Sequence, residues 1–152
     1  MKRICAILSA VVLVICFGGC STKENKKIDV DALTKKVLSD VKFESELNEI
    51  NDTVLSVTYV MPDGVTGKAY LGSSTAADQL AVFTADSAGS AAKTKEMLEK
   101  KVKSLHDTFA AYDVPELTKI DNAVIKVHGN YVVFCITDDY ENAAKVIASQ
   151  LK

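Results

Sequence analysis

The sequence predicts an α+β domain, in which a mostly antiparallel four-stranded sheet packs with helices in two layers. Apolar residues recur at threes and fours from about Ala88 to Tyr112, which indicates one long helix. Residues 122–137 form two apolar runs around Gly129-Asn130, typical of a two-residue hairpin. Two strand-like runs precede the long helix. The predicted core is strand-strand-helix-strand-strand-helix, after one or two N-terminal helices.

Residues 1–19 have the parts of a secretory signal peptide. Lys2 and Arg3 precede an apolar run, which ends in small residues. The run from Ile4 to Gly19 is about 24 Å long as a helix. A bilayer core is about 30 Å thick, so a removed signal is favoured over a permanent transmembrane helix.

Gly18-Gly19-Cys20 resembles the lipobox of bacterial lipoproteins. The resemblance implies that a diacylglyceryl group is attached to the Cys20 thiol and that the signal is cut just before it. Phe17 stands where leucine is commoner, and Cys16 fails as an acceptor because bulky Ile15 precedes it. Two acyl chains anchor stably, whereas one is marginal. We therefore expect an extracytoplasmic protein anchored to the cell membrane; the alternative is a plain secretory signal.

Residues 20–28 are expected to be the lipidated cysteine and a short polar tether, and residues 29–152 a single domain. Signal removal takes two of the 18 basic residues and none of the 20 acidic ones, which moves the net charge from −2 to about −4. This balance argues against a nucleic-acid partner. Cys5 and Cys16 leave with the signal, so Cys135 has no partner for an internal disulfide.

The first elements of the domain are short. Residues 29–41 carry apolar residues on one helical face, and Asp29 is placed to cap that helix. Residues 43–50 suggest an exposed helical turn. Asp52 is placed to cap a short helix over 53–59, but the β-branched residues there suit a strand equally well. Residues 61–64 predict a turn.

Strands are predicted over Val65 to Gly72 and Gln79 to Ala85. In the long helix Glu96–Lys100 and Glu99–Lys103 have the i, i+4 spacing of ion pairs. Pro115 and the residues before it end that helix. The last helix is expected to begin with Asp138 as its N-cap and Glu141 completing a capping box.

The hairpin register places His128 opposite Tyr131 and gives the two strands one apolar and one mixed face. The mixed face is expected to hold Val124, Lys126, His128, Tyr131, Val133 and Cys135. One interpretation is that an N-terminal helix partly covers it. The other is that Lys126, His128, Tyr131 and Val133 form a surface for a protein or cell-wall partner.

Two segments carry a family resemblance: Ala77 to Phe83 before the charged helix, and Asp121 to Phe134 running into Thr137-Asp138-Asp139. The chain from Asp29 to Leu151 resembles a family of small lipobox-bearing proteins of Gram-positive-type bacteria, described only as a domain of unknown function. The resemblance implies a membrane-tethered extracytoplasmic domain and transfers no activity or site residues.

Catalytic patterns are not found in the sequence. In the predicted register Cys135 faces Val124 and lies away from His128, so the two do not form a nucleophile–base pair. His106 lacks zinc-site spacing, and the acidic residues 138–141 lack the EF-hand pattern. We therefore predict no metal, no cofactor and a non-enzymatic binding or accessory domain at the cell envelope. The alternative is an envelope enzyme with an unrecognised active site, which a deep cleft with convergent titratable groups would favour.

Overall fold

A computed structural model describes residues 27–152. The signal peptide and Cys20 lie outside the described residues. The elements are α1 (Val30–Asp40), β1 (Asn48–Glu49), α2 (Asp52–Thr58), β2 (Val65–Leu71), β3 (Gln79–Ala85), α3 (Ala88–Phe109), a 3-10 helix (Val114–Glu116), α4 (Leu117–Asp121), β4 (Val124–His128), β5 (Tyr131–Ile136) and α5 (Tyr140–Gln150).

The sheet has five strands in the order β1-β2-β3-β5-β4, and all neighbouring strands are antiparallel. The α+β class is confirmed, but the predicted count of four strands is wrong. The additional strand, β1, pairs Asn48 with Leu71 and Glu49 with Tyr70. The helical turn expected over residues 43–50 is wrong at these two positions, because two residues are too few to show an alternating pattern. The predicted core order also lacks the 3-10 helix and α4, which lie between α3 and β4.

Helices cover both faces of the sheet, so the domain has three layers and not the predicted two. Ala81 and Phe83 point to the face that packs against α2, α3 and α4, here called the long-helix face. Leu80 and Val82 point to the face that packs against α1 and α5, here called the terminal-helix face. All six residues of β5 are buried, and a strand that is apolar on both sides needs cover on both sides.

The helix starts confirm one predicted cap and correct two. Asp29 caps α1, since its Oδ1 accepts a 2.9 Å hydrogen bond from the Ala32 amide. Residues 52–58 are helical, but their cap is Asn51, which accepts from the Val54 amide at 3.0 Å. The N-cap position of α5 is Asp139 and not Asp138. Asp139 makes no cap bond there, because its Oδ2 accepts from the Lys42 amide and the Asn142 side chain.

The two ends of the sheet are distinct. His128, Tyr131 and Thr84 lie at the end that carries the β4–β5 turn, here called the hairpin end. Leu71, Gln79 and Ile136 lie at the opposite or far end, about 17 Å away along the strands. Lys27 lines a shallow cleft with Thr84 and Tyr131, so the described chain starts at the hairpin end. None of the described helices is both long and apolar enough to cross a membrane.

Candidate functional site

The predicted partner surface on the hairpin is largely covered. Its register is confirmed, with Lys126 opposite Val133 and His128 opposite Tyr131. Lys126 is exposed and His128 half-buried, but Tyr131 is only 9% exposed and Val133 is fully buried. Val133 packs in the cluster formed with α1 and α5. The burial of Val133 contradicts its role in this surface, and the interpretation with a covering N-terminal helix is confirmed for α1.

Cys135 is buried at the far end of β5, opposite Val124. His128 pairs with Tyr131 four residues away, about 13 Å along the strand, so it does not contact the thiol. Burial raises the pKa of the Cys135 thiol, and the nearby carboxylates of Asp78 and Asp139 raise it further. A protonated, buried thiol is not a nucleophile at neutral pH.

His106 lies on the exposed side of α3, next to two carboxylates. Its Nδ1 is 3.7 Å from Asp107 Oδ1, and its Nε2 is 3.6 Å from Asp121 Oδ1. Across residues 27–152, no group of three or more histidine, cysteine or acidic side chains is arranged to hold a metal ion.

A buried lysine at the far end of the sheet forms an ion cluster that the sequence did not predict. The Lys119 side chain is 1% exposed and comes from α4. Its Nζ is 2.8 Å from Glu44 Oε2, 3.0 Å from Glu116 Oε1, 3.1 Å from Asp78 Oδ2 and 3.7 Å from Asp138 Oδ2. We call these five residues the Lys119 cluster.

The Lys119 cluster joins segments that are distant in the sequence. Burial opposes the charged form of Lys119, but hydrogen bonds to the carboxylates outweigh it and hold its pKa above the usual range. The ammonium lowers the pKa of Glu44 in turn. Glu116 also accepts the Ala77 amide at 2.6 Å, whereas Asp78 Oδ1 has no hydrogen-bond partner among the described residues. The carboxylates surround the ammonium, so we interpret the cluster as an ion-pair network with a structural role.

A cleft of about 320 Å³ lies beside this cluster, between the β2–β3 connection and the second half of α3. Ser73, Ser74 and Thr108 bring hydroxyl groups to it. Tyr112, which is 59% exposed, brings an aromatic ring. Lys101 lines the same cleft. We call this cleft the far-end cleft.

A second and larger cleft, of about 580 Å³, lies between the end of α2 and α3. Three lysines line it: Lys93, Lys100 and Lys101. The sequence predicted that Lys100 would pair with Glu96 and Lys103 with Glu99. Neither pair lies within ion-pair distance in the described structure, where α3 instead pairs Lys95 with Glu99 at 3.1 Å. The sequence analysis did not identify this cleft. The signal that could have indicated it is the i, i+7, i+8 spacing of the three lysines, which places them on one face of the helix.

The family model of DUF4358, a domain of unknown function, matches residues 46–137, which is more than half of the chain. The matched residues contain the whole sheet and the helices of its long-helix face. Helices α1 and α5, which cover the terminal-helix face, lie outside them. No curated protein and no solved structure matches this chain significantly.

Proposed function

Because this chain belongs to the DUF4358 family, whose function is unknown, we propose its role from its own residues. It is a non-enzymatic binding or accessory domain, held on the extracytoplasmic face of the cell membrane by a lipid on Cys20. Gly18-Gly19-Cys20, after a basic and then apolar segment, is the observation that carries this proposal. We further propose that the family to which the chain belongs consists of small lipoproteins found mainly in Gram-positive-type bacteria.

The position of the first described residue supports the anchored arrangement. Lys27 lies at the hairpin end of the sheet, seven positions after Cys20 in the sequence. Such a tether spans at most about 25 Å when fully extended. In this arrangement the hairpin end stays within that distance of the lipidated cysteine.

The chemistry of the described residues supports binding over catalysis. The Cys135 thiol is buried, and the Lys119 ammonium is surrounded by carboxylates. The feature that most favours the alternative, an envelope enzyme, is Lys101, since burial lowers the pKa of its amine. Asp78 also lines the far-end cleft, but its carboxylate is bound to Lys119. A catalytic nucleophile or base needs a neighbouring group that activates and orients it. Lys101 has no carboxylate within 4.0 Å among the described residues, so binding is the role we propose.

The anchor is tested by the substitution Cys20→Ser in cells fed with radiolabelled palmitate. We expect the native chain to carry label and to sediment with membranes, and the variant to remain an unlabelled, uncleaved precursor. Cys16→Ser is the matched control, because it removes a neighbouring thiol in the same apolar segment and should keep full labelling. Label in the Cys20→Ser chain would show that the lipobox assignment is wrong.

A further inference from the structure

The larger cleft is built on one side of α3. Residues 93, 96, 97, 100, 101 and 104 recur at threes and fours, so they share one helical face. Thr58 and Val60, at the end of α2, form the opposite wall. We call this site the lysine cleft. Its charged lining residues are Lys93, Lys100, Lys101 and Glu96.

The ammonium groups of the lysine cleft have no carboxylate within 4.0 Å among the described residues. Other lysines of the fold do have one: the Lys36–Asp40 distance is 2.6 Å and the Lys68–Asp31 distance is 3.0 Å. With three lysines and one glutamate, the cleft carries a net charge of about +2 on a chain whose net charge is −2. It is therefore a local positive site on an acidic protein.

Lys101 is the most constrained of the three lysines. Its Nζ donates to the Thr58 carbonyl oxygen at 3.2 Å and lies 4.7 Å from the centroid of the Tyr59 ring. These contacts hold the ammonium at the wall of the cleft while burial removes part of its hydration. A partly desolvated charge without a counter-ion raises the free energy of the fold, and a bound anion would relieve that cost.

Apolar surface lies next to these charges. Val60 is 81% exposed at the end of the cleft, and Val57 on α2 is 75% exposed. Met97 lines the cleft between the lysines. A ligand that joined an anionic group to an apolar part would contact both kinds of surface.

We propose that the lysine cleft binds a phosphate group carried on a partly apolar molecule. Several ammonium groups in one cleft suit a phosphate better than a carboxylate, because a phosphate offers more acceptor oxygens and, as a monoester, carries a charge of about −1.5 to −2. The phosphate belongs either to a lipid headgroup or to a soluble phosphate ester. This inference deepens the binding role proposed above and rests on that role, but it does not depend on the lipid at Cys20.

The test measures binding by calorimetry to the full chain in a non-ionic detergent. The probes are phenyl phosphate, a soluble ester with an apolar ring, and the short-chain lipids dihexanoyl phosphatidylglycerol and dihexanoyl phosphatidylcholine. We expect the native chain to bind at least one of the two anionic probes more tightly than the zwitterionic lipid, and more weakly as salt is added. Tighter binding of phosphatidylglycerol than of phenyl phosphate identifies a lipid headgroup, and equal or tighter binding of phenyl phosphate identifies a soluble ester; both outcomes support the site.

The decisive variant is Lys93→Gln/Lys100→Gln, because both side chains are exposed and their loss leaves the core intact. We expect its affinity to fall at least about tenfold, because the variant removes two of the three ammonium groups that line the cleft. Lys95→Gln/Lys103→Gln is the matched control, with the same charge change on other faces of α3, and should bind within about twofold of the native chain.

No binding of either anionic probe, or an equal loss in the two double variants, would overturn the proposal. These outcomes are distinct from a failure of the anchor, which is measured by palmitate labelling of the native chain. If the native chain carries palmitate but binds neither anionic probe, the anchor is supported and the phosphate-binding proposal is wrong.

Discussion

Lys119 shows at the scale of one residue how the far end of the sheet is fixed. Its ammonium meets Glu44, 75 residues away, and Asp78, 41 residues away. Removing Lys119 would leave the buried carboxylates of Asp78 and Glu116 as desolvated charges, which is far more costly than the net value of the ion pairs. The Lys119 cluster therefore favours the native arrangement of the loops, although its net contribution to the free energy of folding is small.

The substitution Lys119→Met tests this role. We expect the free energy of unfolding to fall by about 3–5 kcal/mol, because the buried Asp78 carboxylate loses its cation. Urea unfolding followed by circular dichroism measures the change. Lys103→Met is the control, since Lys103 is exposed, and it should change stability by less than about 0.5 kcal/mol. Similar small effects of both substitutions would contradict a role for the cluster in stability.

At the scale of one element, α2 is the case that sequence patterns left open. Seven residues rich in β-branched side chains suit a helix or a strand, and a helix this short is not stable alone. The helix is fixed from outside, by the Asn51 cap and by burial of Leu55 and Tyr59. The Tyr59 hydroxyl also donates to Gln79 Oε1 at 2.8 Å.

Replacing the cap tests what holds α2. We expect Asn51→Ala to lower the free energy of unfolding by about 1 kcal/mol, because the Val54 amide loses its acceptor. Chemical denaturation measures the difference. Thr53→Ala is the matched control on the same exposed turn and should cost less than about 0.5 kcal/mol. If the two variants were equally stable, the cap would not determine the start of this helix.

At the scale of the whole molecule, the two helical layers have different origins in the chain. The long-helix face is covered by elements within the family match, and the terminal-helix face by α1 and α5 from the two flanks. The flanking helices are tied to each other and to the sheet. The Asn142 side chain donates to the Asp40 carbonyl oxygen at 2.8 Å, and Thr137 Oγ1 donates to the Lys42 carbonyl oxygen.

The distribution of charge over the molecule predicts loss of stability in acid. Five carboxyl groups accept side-chain hydrogen bonds that lower their pKa in the fold: Asp31, Asp40, Glu44, Asp86 and Asp139. Their ordinary values are 3.8 for aspartate and 4.5 for glutamate. The unfolded chain therefore binds more protons than the folded one at acidic pH. The stabilisation is complete above those values and is lost as the pH falls through the lowered ones.

We expect the free energy of unfolding to be nearly constant between about pH 7 and pH 5 and to decrease below about pH 4.5. Urea titrations at a series of pH values measure it. Asp40→Asn serves as a comparison, because it removes one of these groups and should make the acid decrease less steep. A stability that did not change between about pH 5 and pH 3 would contradict the prediction.

The sequence by itself determined the elements whose signals are local. The strand Gln79–Ala85, the hairpin within residues 122–137 with its register, and the Asp29 cap were all predicted, because alternation, a Gly-Asn turn and a capping residue act over a few positions. Local sequence also identified the lipobox pattern at Cys20, and the lipidation of this cysteine remains a prediction.

The tertiary structure decided what depends on distant residues. The third layer, the strand Asn48–Glu49, the cover over Val133 and the Lys119 cluster all require segments tens of residues apart to meet. The lysine cleft is of the same kind, since α3 supplies its lysines and the end of α2 supplies its other wall. Local patterns set which residues form helices and strands, but burial and charge pairing depend on which of those elements pack together.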